Sequence, residues 1–206
     1  MGNGKVVPAK DVPGHCEKTT PADKTWIAKL LDGKPSTWRP GEKVSKWTAE
    51  QRERVLAALR EIPDFLKDPN IFGIFRMKDS ETPNNPASSD YSDIVLYDRA
   101  FSDKENLTQV LEHEMAHRLF DKLPKSEQDD FRNVGQWEEN PQKPGTFLRG
   151  REKGGFVREN DMANPEEDFA DGIVTFLNDP EKLKRTAPRV YRWMKDHYGS
   201  VSRGKK

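Results

Sequence analysis

Two histidines and a glutamate stand at a spacing that can bind a metal ion and use it. His113 and His117 are four residues apart, and Glu114 directly follows the first of them. On an α-helix this spacing separates the two histidines by about 40° around the axis and about 6 Å along it. Both imidazoles can therefore reach one ion, with Glu114 at the same mouth. The segment 113–117 fits the HExxH pattern of metal-dependent peptide hydrolysis.

The chemistry expected of this segment is hydrolysis assisted by zinc. The metal would lower the pKa of a water molecule and polarise a carbonyl group, and Glu114 would act as the general base. The alternative is a surface helix on which two histidines happen to share a face. A helix that is apolar on most sides argues against that alternative, because it predicts a buried central position. The apolar positions are Leu107, Val110, Leu111, Leu119 and Phe120.

A third ligand is expected, because catalytic zinc sites have three protein ligands and one open position. The candidates are Glu166, Glu167, Asp168 and Asp171, on a helix predicted to begin at Asn164. The helix dipole accounts for acids in the first turn, but not for Asp171 one turn further along. Glu167 and Asp171 share a helix face, so one can ligate while the other accepts the second N–H of a ligand histidine. Glu166 and Asp168 are predicted to cap the helix or to be solvated.

These motifs resemble the gluzincin metallopeptidases, in which HExxH is followed downstream by a Glu-x-x-x-Asp/Glu helix. More narrowly, the region from Phe156 to about Tyr198 looks like the catalytic domain of anthrax lethal factor and its relatives. The similar segments are 164–171, Asn-Pro-Glu-Glu-Asp-Phe-Ala-Asp, and 183–191, with Leu-Lys, Ala-Pro and Tyr in matching order. The resemblance covers the second half of the chain, from Ser92 onward.

The resemblance implies a ligand set and a class of activity. His113, His117 and Glu167 would be the metal ligands, Glu114 the general base and Asp171 the partner of a ligand histidine. One Zn²⁺ per chain and the hydrolysis of peptide bonds by a metalloendopeptidase follow from it. Because lethal-factor-like domains occur in secreted toxins and effectors, it also implies a toxin or effector module that acts on a protein or peptide substrate, with a cognate inhibitor or immunity protein as a further partner.

The sequence departs from this family at the residue that stabilises the oxyanion. The family usually has a tyrosine a few residues before the third ligand, whereas here Asn160 stands in its place. Asn160, Arg158, Tyr97 and His197 are the candidates for oxyanion or substrate contacts. The alternative is a catalytically weak or silent zinc-binding interaction domain of the same fold. A peptidase of protein–DNA adducts is a second alternative, which neutral charge and the lack of a basic stripe disfavour.

The elements that must position these residues predict a mixed α+β fold. We expect a zincin-like metallopeptidase domain, with a small twisted β-sheet beside the central HExxH helix and a mainly helical C-terminal half. The strand that ends at Tyr97 is expected to offer its edge to an extended substrate backbone. Residues 79–90 are predicted to form a loop, and 135–163 a long loop region. The predicted strands are 71–77, 93–98 and 146–148, and the predicted helices are 48–62, 104–120, 126–134, 164–177, a short one from 179, and 187–198.

The composition sets the remaining limits. The chain has 206 residues, with 35 basic and 35 acidic side chains, so no nucleic-acid partner is expected. One cysteine, Cys16, excludes an internal disulfide. No apolar run has the length of a membrane span or a signal peptide, so we expect a cytoplasmic protein or one exported without a cleavable signal. The predicted division is an extended arm or linker over 1–46, the metallopeptidase domain over 47–200, and a basic tail over 201–206.

Overall fold

The computed structural model describes residues 21–32, 44–78, 84–90, 92–149 and 164–201, which form a mixed α+β fold that is mainly helical. The helices in these residues are α1 (Pro21–Asp32), α2 (Ala49–Glu61), α3 (Leu107–Lys122), α4 (Lys125–Gly135), α5 (Pro165–Asn178), α6 (Pro180–Thr186) and α7 (Pro188–Tyr198). The strands are β1 (Gly73–Met77), β2 (Ala87–Ser89), β3 (Asp93–Tyr97), β4 (Trp137–Glu139) and β5 (Phe147–Arg149). The coarse prediction of a small sheet beside a central helix is confirmed.

The main sheet has three strands in the order β1-β3-β2. β3 runs parallel to β1, with Gly73 opposite Asp93, and antiparallel to β2, with Ser89 opposite Ile94. The expectation that β3 has a free edge is therefore wrong, because β2 covers that side. The three residues of β2 lie within the predicted loop 79–90, and they lack the run of branched apolar residues that marks a strand. They form a strand because β3 offers them unpaired backbone groups.

Two predicted helix starts are confirmed by their capping contacts. Thr48 and Gln51 form a reciprocal capping box at α2, with hydrogen bonds of 3.1 and 3.2 Å. Asn164 accepts a hydrogen bond from the backbone N–H of Glu167 at 2.8 Å, with Pro165 as the first helical residue of α5. Both contacts set the direction in which a helix enters the core.

The core is centred on α3 and α5, and an aromatic cluster fills the space between these helices and their neighbours α4 and α7. Phe131 and Phe169 are fully buried, with ring centroids 5.1 Å apart in an edge-on arrangement. Trp193 packs edge-on against both rings. Each such ring contributes roughly 2 to 3 kcal/mol by its burial. The apolar helix predicted from the HExxH region is therefore central to the fold, as expected.

Helix α1 contributes to the same core. Ile27, Leu30 and Leu31 are buried there, so this part of the predicted extended arm or linker is a helix of 12 residues that packs on the core. The predicted short strand at 146–148 is β5, and its partner β4 was not predicted. Among the described residues, no helix combines the length and apolar character that crossing a membrane requires.

Candidate metal site

Three side chains converge where α3 passes α5. The Nε2 atoms of His113 and His117 are 3.0 Å apart. One carboxylate oxygen of Glu167 lies 3.2 Å from Nε2 of His113, and the other lies 3.5 Å from Nε2 of His117. All three side chains are part-buried, and they could hold a metal ion. The two histidines come from one helix face, and Glu167 comes from the first turn of α5.

These separations are compatible with a single bound ion. With zinc–ligand distances of about 2.0 to 2.1 Å, neighbouring ligand atoms of a tetrahedron are roughly 3.3 Å apart. The two Nε2 atoms are 3.0 Å apart, and the two oxygens of Glu167 lie 3.2 and 3.5 Å from them, so all three side chains are close enough to reach one ion. Two imidazoles and one carboxylate are also a donor set that zinc uses in hydrolytic sites. The predicted ligand set is thus brought together in space, and the donors suit a divalent cation.

Asp171 holds the first histidine in the orientation that ligation requires. Its Oδ1 lies 3.0 Å from Nδ1 of His113, and its side chain is 1% exposed. Because a carboxylate accepts a hydrogen bond, the contact places a proton on Nδ1 and leaves Nε2 facing Glu167 and His117, where it could bind a metal ion once it has no proton. The prediction that Asp171 faces a histidine from the position one turn after Glu167 matches this geometry.

The two imidazoles are electrostatically different. Burial lowers the pKa of His113, but hydrogen bonds with Asp171 and Glu167 raise it more, to about 10. The pKa of His117 falls to about 4, because burial and the neighbouring charge of His113 both disfavour its protonated form. His113 therefore lies between two carboxylates that attract a positive charge, which a metal ion would supply in place of the proton. His117 is neutral at pH 7 and has a lone pair to donate.

Glu114 lies beside the three ligand side chains and is buried, with 7% of its surface exposed. Burial raises the pKa of its carboxyl group, while the charge of His113 and hydrogen bonds from Ser89 act in the opposite direction. The net result is a raised pKa, so this carboxylate binds a proton more readily than an exposed one does. This property is what a general base needs when it must both take and return a proton.

Cavities open on both sides of this group. One, of about 430 Å³, runs past His113 and Glu114 towards Lys104, which lies just before α3. The other, of about 740 Å³, runs past the same two residues towards Asp121 and Glu166. We call the two together the cleft. Strand β2 forms one of its walls, since all three of its residues line the larger cavity.

Glu166 and Asp168, on either side of Glu167, are predicted to cap the helix or to be solvated. The structure differs, because it buries Asp168 and partly buries Glu166. Asp168 is only 2% exposed, and its Oδ2 accepts a hydrogen bond of 2.8 Å from Nε1 of Trp137. Its side chain faces inward because its position on α5 lies next to Trp137, the first residue of β4. Glu166 is part-buried in the wall of the cleft, and burial raises its pKa although the charge of Arg132 acts against this.

The residues expected to stabilise an oxyanion are not brought to the site by the described structure. The hydroxyl of Tyr97 lies 3.0 Å from Oγ of Ser88, and Tyr97 is buried outside the residues that line the cleft. His197 lies on α7, where its ring stacks on Trp193 at 3.8 Å. Arg158 and Asn160 lie outside the described residues.

Sequence reasoning missed the contribution of β2 to the cleft. Ser88 and Ser89 are short polar residues inside a segment that is rich in proline and asparagine, which is typical of a loop. The segment that connects β1 and β3 in sequence carries a weak signal nevertheless, since a short strand there is one way to cover the otherwise exposed edge of β3.

In comparisons with known proteins, no protein-family model, curated protein or solved structure matches the chain.

Proposed function

We propose that the chain is a zinc-dependent metalloendopeptidase with a zincin-like domain, as its resemblance to the gluzincins implies. The observation that carries the proposal is the joint placement of four groups. His113, His117 and Glu167 present donor atoms close enough together to hold one metal ion, and Glu114 lies beside them in the wall of the cleft. A metal site without a function in hydrolysis would not require a buried carboxylate at this position.

Each side chain has a distinct task in this proposal. His113, His117 and Glu167 would hold the zinc, and Asp171 would keep His113 oriented by accepting its Nδ1–H. Bound zinc supplies a lowered pKa for water and polarisation of the substrate carbonyl. Glu114 accepts the proton of the attacking water and returns it to the amine that leaves. Its raised pKa favours the second transfer, because a weakly basic carboxylate would not retain the proton for long enough.

The shape of the cleft supports cleavage within a chain rather than at its end. His113 and Glu114 line both cavities, so the site lies in the middle of the cleft. The backbone O of Pro86 and N of Asp90 bond β3, so by the alternation of a strand the carbonyls of Ala87 and Ser89 point outward. An extended substrate can donate its N–H groups to these carbonyls, as in other cases of strand addition.

A protein or peptide is the proposed substrate, and a toxin or effector module is the proposed setting. This setting follows from the resemblance to lethal-factor-like domains alone, and a cognate inhibitor or immunity protein would be part of it. Targets are not shared across a fold, so the identity of the substrate has to come from experiment.

The test is the cleavage of an unbiased peptide library by zinc-loaded wild type and by Glu114→Ala, with zinc content measured by elemental analysis. We expect cleavage by the wild type, and a loss of at least about a hundredfold in the variant, because a general base contributes that much. Glu114→Ala should retain zinc, since Glu114 is not a ligand. Equal cleavage by both proteins would rule out the role of Glu114.

A catalytically silent zinc-binding domain is the second candidate. It is favoured by the absence of a tyrosine, and of any histidine besides the two ligands, from the described residues that line the cleft. One missing oxyanion donor typically costs on the order of a hundredfold or more in rate. Stoichiometric zinc with no cleavage of any library member would establish this candidate over the peptidase.

A further inference from the structure

The edge strand β2 and the metal-binding helix α3 are distant in sequence, and a buried side chain joins them. Arg118 lies one turn after Glu114 on α3, so the two residues share a face of that helix. Nη1 of Arg118 donates a hydrogen bond of 3.0 Å to the backbone carbonyl of Asp90, the residue that follows β2. Because Arg118 is only 8% exposed, water does not easily replace it as the donor.

Backbone hydrogen bonds attach both ends of β2 to its neighbour β3. At one end, the carbonyl of Pro86 accepts from the N–H of Tyr97 at 2.9 Å. At the other end, the N–H of Asp90 donates to the carbonyl of Asp93 at 2.9 Å. Asp90 is therefore bonded to the sheet through its N–H and to α3 through its carbonyl. This residue links the wall of the cleft to the helix that carries the metal ligands.

An acidic partner holds the guanidinium of Arg118 in place. Its Nη2 lies 3.4 Å from Oδ2 of Asp68, whose side chain is 6% exposed. The other oxygen of this carboxylate is paired with Lys122, one turn after Arg118 on α3. The donors of a guanidinium form a rigid planar fork, so a contact of one nitrogen with Asp68 directs the other towards Asp90. A lysine has its donors on a single atom, and we expect it to pair with the charged Asp68 in preference to a carbonyl.

We propose that Arg118 is a positioning residue that fixes β2 against α3 and so sets where a peptide bound along β2 meets Glu114 and the metal ligands. This role rests on the proposed function, in which the outward carbonyls of β2 hold the substrate backbone. A peptide paired with β2 moves with that strand, whereas Glu114 and His113 move with α3. A misplacement of the reacting groups by about 1 Å can cost about a hundredfold in rate. Arg118 therefore affects catalysis although it is not among the described residues that line the cleft.

A kinetic comparison separates this role from a contribution to stability alone. Arg118→Lys keeps a charged partner for Asp68 and loses the bond to Asp90. We expect kcat to fall roughly ten- to a hundredfold, with KM and zinc content unchanged, because the peptide still pairs with β2 and the ligands are intact. Lys122→Met removes a partner of Asp68 without touching Asp90, so the urea midpoint should fall while kcat stays that of the wild type. Arg192→Lys, at an exposed position on α7, is the matched control.

Two results of this comparison would overturn the role. One is a kcat of Arg118→Lys equal to that of the wild type. The other is a fall in kcat of the same size in Lys122→Met, because loss of stability alone would then explain both variants.

Hydrogen exchange tests the attachment of β2 without relying on activity. The amide of Asp90 should exchange about tenfold faster in Arg118→Lys than in the wild type, because the residue is then held by the sheet alone. The amide of Ser45, which donates to Arg76 in β1, should exchange at the same rate in both proteins. Equal exchange of the Asp90 amide in both proteins would overturn the proposal. If exchange changes as expected and the wild type cleaves nothing, the attachment by Arg118 stands and the peptidase function alone fails.

Discussion

Replacing Asp171 by alanine should weaken zinc binding although Asp171 is not a ligand. Its carboxylate accepts the Nδ1–H of His113 at 3.0 Å and is almost fully buried, so no water replaces it easily. In the variant, the imidazole loses the acceptor that fixes its tautomer and its rotation. The ring can then rotate, or keep its remaining proton on Nε2 when it becomes neutral, and either change takes the Nε2 lone pair away from the metal position.

The magnitude follows from the type of contact. A hydrogen bond to a charged group contributes about 1.5 to 3 kcal/mol, which corresponds to roughly 10- to 100-fold in a dissociation constant. Loss of partners of this kind typically costs the same factor in metal affinity. Glu167→Ala removes a donor atom from the site, so we expect a larger loss, of at least about a thousandfold.

The assay is competition for zinc against a chromophoric chelator at pH 7.5, with wild type, Asp171→Ala and Glu167→Ala measured side by side. Glu181→Gln, at an exposed position on α6, is the control for the loss of one negative charge and should match the wild type. Unchanged affinity in Asp171→Ala would refute the proposed orienting contact. Stoichiometric zinc in Glu167→Ala, at a concentration near that of the protein, would refute the third ligand.

Three further predictions concern protons and stability. Burial lowers the pKa of His113, but Asp171 and Glu167 raise it more, to about 10, whereas burial and the charge of His113 lower the pKa of His117 to about 4. Zinc binding at pH 7.5 should therefore release one proton. Calorimetry in buffers of different ionisation enthalpy measures this release, and a value of zero would contradict the assignment. Asp68→Asn should lower the free energy of unfolding in urea by about 2 kcal/mol, less than for a fully buried pair because its lysine partner is partly exposed. Burial raises the pKa of Asp68, but its basic partners lower it more. Its contribution to the free energy of unfolding is therefore present above pH 3.8 and is lost as the pH falls below that value. A difference in stability between wild type and variant that persists in acid would argue against the pair. Trp137→Phe should cost about 1 to 3 kcal/mol in the same assay, because the buried carboxylate of Asp168 loses a donor at 2.8 Å, and an unchanged midpoint would show that this bond is not needed.

The parts of the site that could be predicted from sequence are those set by local periodicity. The spacing of His113 and His117 fixes their relation on any helix, and Glu167 and Asp171 share a face for the same reason. The start of α5 was predictable because Asn164 and its following proline act within one turn. These inferences require only that the helices form, and the apolar stripes indicate that they do.

The parts that could not be predicted depend on contacts between distant segments. Strand β2 exists because β3 pairs with it, and its three residues carry no strand signal of their own. Asp168 is predicted to cap the helix or to be solvated, since nothing near it in sequence indicates that Trp137, 31 residues earlier, lies within hydrogen-bonding distance. Pairing across such separations is decided by the packing of the whole core, which local periodicity does not encode.

The order of residues on α3 explains why the site needs both α5 and β2 as walls. His113 and Glu114 are consecutive, so they point about 100° apart around the helix, whereas His117 returns to within about 40° of His113. The histidines therefore face α5, which supplies Glu167 and Asp171, and the base faces a different neighbour. That neighbour is β2, whose three residues line the larger cavity of the cleft together with Glu114. In the proposed peptidase, a peptide bound along the outer edge of β2 would pass in front of Glu114, so the strand beside the proposed general base would also align the bond to be cut.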